Sequence, residues 1–339
     1  MGNDCQRDGI HKNIRRNDKI RYALADEGQA SYKIEETAYT KEDDPDKYLG
    51  YLEEDIDFTG GQNPHEPQNS GGTRRAPHNY SPETKEYAFS IPVLPYDDNT
   101  PLEIAMGERT VENIEDSDSV KVGKRTIFSE ADQLPTATIQ HDQKDLDLIE
   151  WFIGTKASMT FEANIGEAVQ ITLDCLAAKH DYDDKPLSHY DLNIPNDKSL
   201  FRFWMHEGIT YDGDPFLAVA GVSHTVENGL EALYHGEEKR DAYAIAESTS
   251  TDKYDTTITA KIMDLDQYKA AVENEVRIDI EMPFVRGKSD DGTINDAIIL
   301  KLDDCKILTA DIPFQEEGHL EHDIEVAPLE SSIEILTPV

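Results

Sequence analysis

The stretch "ASMTFEANIGEAVQITLDCLA", residues 157–177, reads as a β-hairpin. Met159, Phe161, Ala163 and Ile165 alternate with small or polar residues, Gly166-Glu167-Ala168 interrupts, and Val169, Ile171, Leu173 and Cys175 alternate again. A period of two residues is that of a half-buried strand. A similar stretch returns near the C-terminus, "ILTADIPFQEEGHLEHDIEVA", residues 307–327. There Leu308, Ala310, Ile312 and Phe314 alternate, a loop containing Gly318 follows, and Leu320, His322, Ile324 and Val326 alternate. Overlaying the two places Leu308 on Met159 and Leu320 on Val169.

The likeness extends outward. "KEYAFSIPV" (85–93) and "YDTTITAKI" (254–262) are strand patterns, each followed by a helix start. Thr100-Pro101-Leu102-Glu103 has the form of a capping box and Gly107 marks a stop; Asp264-Leu265-Asp266-Gln267 repeats the device. Then "TATIQH" and "LDLIEWF" precede the first hairpin, as "VRIDIEM" and "AIILKL" precede the second. Each half thus runs strand, helix, strand, strand, strand. Residues 1–45 are weakly periodic and read as an N-terminal arm. The expected divisions are a first domain at 46–183, a linker rich in Asp, Pro and Asn at 184–200, and a second domain at 201–339. Residues 111–134 read as a charged insertion confined to the first half.

The acidity is extreme: 70 Asp and Glu against 32 Lys and Arg give a net charge of -38. Such a field repels nucleic acid phosphates, so a DNA-binding surface is not expected. Disorder does not fit the regular alternation, and no calcium-binding loop pattern is present. The remaining reading is a halophile, because molar salt cuts the Debye length to about 3 Å and screens carboxylate repulsion. Cys5, Cys175 and Cys305 are too few and too widely spaced for a disulfide framework or a zinc site. No apolar run has the length of a signal peptide or a membrane span, so neither secretion by that route nor a membrane is expected.

Chemistry is hard to find. Nucleotide-loop, hydrolase and zinc-protease motifs do not occur. His319 and His322 lack an evident third ligand. His206, Glu207, Asp212 and Asp214 could meet a cation, but clustered carboxylates arise by chance in so acidic a chain. Ser223 and His224 are adjacent, which puts them on opposite faces of a strand and argues against a nucleophile–base pair. Catalytic, cofactor-binding and metal sites are therefore all expected to be none, and the chain is read as not an enzyme.

The segments 152–179, 222–245 and 300–328 resemble the tail tube proteins of viruses with long non-contractile tails, and the likeness covers roughly residues 45–335. The resemblance implies a mainly β fold with flanking helices, here two tandem tail-tube-like β-sandwich or split-barrel domains. It implies rings whose inner hairpins join into a barrel and which stack into a tube in the virion tail, assembled in the host cytoplasm. DNA would pass through the lumen without specific binding. The partners it implies are the chain itself, a tail terminator, a tape measure and a baseplate. With the acidity it points to a virus of a halophilic archaeon. Two tandem domains imply a trimer with a pseudo-six-fold ring rather than a hexamer. The inter-subunit candidates are the hairpin residues Met159, Phe161, Val169, Ile171, Leu308, Ile312, Leu320 and Ile324. Arg74 and Arg75, in the Gly- and Pro-rich loop expected at 58–78, are candidates for stacking contacts between rings. The alternative is a halophilic β-sandwich binding module, for a surface or a carbohydrate.

Overall fold

A computed structural model of the chain describes residues 28–42, 45, 47–49, 51–52, 57–65, 81–97, 100–115, 121–143, 148–183, 200–203, 209–211, 214–235, 240–248, 253–262, 277–288, 295–308 and 321–338. The first half contributes β1 (Gly28–Ile34), β2 (Lys47–Tyr48), β3 (Tyr51–Leu52), β4 (Asp57–His65), β5 (Ser81–Leu94), α1 (Glu103–Met106), β6 (Gly107–Glu115), β7 (Lys121–Glu130), β8 (Ala137–Gln143), β9 (Leu148–Asn164), β10 (Gln170–Ala177) and β11 (Lys179–Asp183). The second half contributes β12 (Ile209–Tyr211), β13 (Asp214–Val226), β14 (Glu231–Leu233), β15 (Ala244–Ala246), β16 (Tyr254–Ile262), β17 (Arg277–Lys288), β18 (Asn295–Ile307), β19 (Glu321–Ala327) and β20 (Glu330–Pro338). The fold is mainly β. All ladders among these strands are antiparallel, and all strands but the β14–β15 pair belong to one connected 18-stranded sheet.

The opening hairpin forms as its alternation demands. β9 and β10 pair with Met159 opposite Leu173 and Phe161 opposite Ile171, and all four side chains are buried. Ile165, expected on the apolar face, instead lies exposed in the turn. Gly166 beside it takes φ 89°, a conformation open to residues without a Cβ. Residues 148–152 of the stretch "LDLIEWF" are no separate strand: they belong to β9, which bends at Gly154, φ 68°.

Several expectations need correction. Residues 28–34, read as part of an arm, form β1, which pairs with β8 from Gly28↔Gln143 to Ile34↔Ala137. Residues 57–65, read as the start of a long loop, form β4 beside β5. Gly60, Gly61 and Pro64 disguise it, yet proline is compatible with an edge strand at a bulge, and the register shifts between Gln62 and Pro64. The 111–134 insertion is the hairpin β6–β7, and β7 pairs with β20 of the other half, Phe128 opposite Ile333. The expected capping box at Thr100 does not form: the Thr100 hydroxyl donates to the Asp97 carbonyl, and α1 begins after Leu102 without a side-chain cap. Gly107 ends that single turn at φ 101°, as expected. All four α1 residues are buried, so the turn plugs the interior instead of flanking a sheet. The second expected helix and most of the linker lie outside the described residues.

One apolar cluster runs through both halves. It joins Phe89, Ile91, Phe152 and Phe161 to Ile258, Phe284, Leu302 and Ile333, with Phe161 and Phe284 ring centroids 5.9 Å apart. The two expected domains therefore share a core and a sheet.

Candidate assembly interface

Two sets of strands follow the same pairing scheme. In the first, β4 pairs with β5, β5 with β10, β10 with β9, and β9 with both β8 and β11. In the second, β13 pairs with β16, β16 with β19, β19 with β18, and β18 with both β17 and β20. The registers agree as well. Leu173↔Ile91 matches Ile324↔Ile258, Ala157↔Cys175 matches Ile307↔Val326, and Ile153↔Lys179 matches Asp303↔Glu330. Even the irregularities coincide: β8 and β17 shift register at Ala137/Ile139 and Ile278/Ile280. β9 bends at Gly154 and β18 at Asp304, φ 53°. The bend is held each time by a carboxylate on the turned amide. Glu35 Oε1 accepts from the Gly154 N–H at 2.8 Å, and Asp279 Oδ1 from the Asp304 N–H at 2.9 Å. Glu35 also accepts from Thr136 and Thr138 hydroxyls and the Tyr39 amide, so the N-terminal segment locks the first bend.

This register corrects the overlay of the two sequences. Leu308 corresponds to Ser158, not Met159, because the amide of Leu308 bonds the Glu325 carbonyl as Ser158 stands opposite Asp174. A slip of one residue exchanges the two faces of a strand. Leu308 accordingly is 56% exposed instead of joining the core.

The two sets meet along β9 and β13, from Asn164↔Gly221 to Met159↔Val226. Polar contacts continue the seam. The Ser158 hydroxyl donates to Glu227 at 3.2 Å and accepts from the Asn228 N–H at 3.0 Å. The Asn228 side-chain amide donates to the Ala105 and Ala157 carbonyls. Lys156 pairs with Glu247 and Lys253 with Glu130, which also accepts from the Tyr254 hydroxyl. Scarce cations are thus spent where distant parts of the chain join. Beyond the ladder, the β14–β15 hairpin covers the first set: Ala242 and Ile245 pack on Leu176 and Ala178. A recess of about 820 Å³ opens at this seam, lined by Glu35, Tyr39, Met106, Glu130, Lys156 and Glu247 among others, with no histidine or cysteine among the described residues that line it.

The sequence-derived candidates divide three ways. Met159, Phe161, Val169, Ile171 and Ile324 are side chains of the chain's own core. Leu308 is exposed at the end of β18. Arg74, Arg75, Ile312 and Leu320 lie outside the described residues, as do His206, Glu207, Asp212 and His319. What sequence reading missed is the seam itself, since Ser158, Asn228 and Lys156 carry no motif; only their offset from the paired alternations marks them.

Buried and half-buried titratable groups lie at the seam and within both strand sets. Burial pushes the His224 imidazole down to about 4, with nearby Glu130 opposing; its Nδ1 lies 2.8 Å from the Thr256 hydroxyl. His141, whose Nδ1 lies 3.1 Å from Oε2, and then His180, whose Nε2 lies 3.6 Å from Oε1, hold the Glu150 carboxyl down at about 2. Burial pushes the Cys305 thiol up to about 12, which makes it inert as a nucleophile near neutrality. Among the described residues no group of three or more His, Cys, Asp or Glu is placed to hold a metal ion, and no helix is long and apolar enough to cross a membrane. No protein-family model matches the chain, and no curated protein matches it.

Proposed function

We propose that the chain is a structural tail protein of a virus of a halophilic archaeon, made of two tandem β units that build stacked rings around a DNA-conducting lumen. The observation that carries this reading is the shared pairing scheme, register and bend of the two strand sets. A chain that repeats one unit twice, and joins the two through a sheet edge, has the geometry to continue the same junction from chain to chain. The negative charge of -38 suits a lumen that does not bind DNA. Three copies, each giving two units, make a six-unit ring of about 115 kDa, three times the 38.2 kDa chain.

Electron microscopy of the purified protein in molar salt tests the reading. Rings or tubes of uniform diameter are expected, with three-fold outer symmetry because, among the described residues, β6–β7 belongs to the first unit alone. Dispersed globules under all salt conditions would reject the tail-tube function, and six identical outer lobes per ring would reject the two-unit count.

A further inference from the structure

We infer that the second strand set of one copy docks head-to-tail on the first strand set of another, with Leu308 at the end of β18 meeting the outer edge of β4 at Gly61. The inference rests on the proposed assembly of identical copies and specifies the surfaces that make it.

β13 is paired on both edges, with β16 on one side and β9 on the other. Its counterpart β4 is paired, among the described residues, on the β5 edge only. An unpaired edge strand presents a row of amide and carbonyl groups that suits another strand. The complementary surface belongs to the second set. Ser158 is 4% exposed because Glu227 and Asn228 cover it; its counterpart Leu308 is 56% exposed. Ala178 is fully buried beneath the β14–β15 hairpin; its counterpart Leu329 is 59% exposed. Two large exposed apolar side chains therefore sit where the first set carries its neighbour. Carrying the seam over by the shared register identifies the occupant. Ser158 stands opposite Glu227 when the β9–β13 ladder is continued, and Glu227 corresponds to Gly61 on β4. The occupant of β4 is thus the second set of another copy. Because the two surfaces differ, the contact is heterologous and propagates, closing as a ring where the rotation permits.

Disulfide trapping tests this directly. In a Cys5→Ser background, with Cys175 and Cys305 buried, the pair Leu308→Cys and Gly61→Cys is oxidised in molar salt. A ladder of disulfide-linked multiples of the chain is expected, with each single variant remaining monomeric on a non-reducing gel. The pair Ser158→Cys and Glu227→Cys, at the equivalent place within one chain, is expected to form an intramolecular bond and calibrates the geometry. Abundant dimers of Leu308→Cys alone would show a symmetric contact and overturn the inference, as would assembled protein in which the double variant does not cross-link. As a second measurement, Leu308→Glu with Leu329→Glu should abolish species larger than the monomer without changing circular dichroism; undiminished assembly would equally overturn it. The two proposals fail separately. Cross-linked oligomers that never form tubes would reject the tail-tube reading and keep this contact, whereas tubes that lack the cross-link would do the reverse.

Discussion

His224 shows how one side chain couples the seam to pH. It is fully buried in β13, stacked on Tyr254 with centroids 5.9 Å apart. Its Nε2 has no hydrogen-bond partner among the described residues. A buried imidazole of this kind is held neutral. Its folded value of about 4 lies below the ordinary 6.5, so the unfolded chain takes up the proton first as pH falls. The sign follows: stability is full above about pH 6.5 and declines down to about pH 4, by on the order of 3 kcal/mol from this group. Thermal unfolding at pH 7.5 and pH 5 in molar salt should show the decline in the natural chain. It should be markedly smaller in His224→Gln, which can still bond Thr256. An equal decline in both would locate the effect elsewhere. The sequence made one part of this legible, since adjacency alone separates Ser223 from His224 across the strand. The burial came from β9 and β16 packing on either edge, which no local pattern announces.

At the scale of elements, the bent strand is the recurring device. Gly154 combines φ 68° with a close approach: a Cβ there would stand 2.4 Å from Tyr39 Cδ1. Gly154→Val should therefore cost about 3 kcal/mol or more, through backbone strain and a displaced ring. Asp304→Gly, at the matching bend, should change stability by less than about 1 kcal/mol, because it relieves a positive φ while losing an exposed ion pair with Arg277. Denaturant unfolding of both variants in molar salt checks the contrast, and a harmless Gly154→Val would mean that the bend does not need glycine. The alternation of Met159, Phe161, Ile171 and Leu173 made the first hairpin readable from residues alone. The repeat was readable too, but its register was not: Asp304, unlike Gly154, gives no sign that the chain turns there, and the overlay slipped by one. β4 escaped notice because its glycines and proline are tolerated at an edge, and β1 because Glu35 fixes it through hydrogen bonds rather than apolar periodicity.

For the whole molecule, charge sets the conditions of existence. Buried or half-buried pairs such as Arg286–Asp296 and Arg125–Glu334 use up cations internally, leaving an acidic surface uncompensated. At about 1 M salt that repulsion is screened within ~3 Å, whereas near 0.1 M it reaches ~10 Å. Dialysis to about 50 mM salt should release single chains and then reduce β-sheet circular dichroism. Unchanged particle size and spectrum would contradict the halophilic reading. Composition made this legible at once, but it could not say where the few cations go; Lys156 and Lys253 find their carboxylates only after folding brings the two halves together.

The β9–β13 ladder has a kinetic corollary. Its two strands belong to one polypeptide, so when it opens, its halves stay at an effective local concentration of roughly millimolar and re-form it quickly. A like contact between separate chains has only the bulk concentration to restore it. In the assembly proposed above, progressive dilution should therefore part the polymer at alternate joints, with the two-unit chain as the piece that survives.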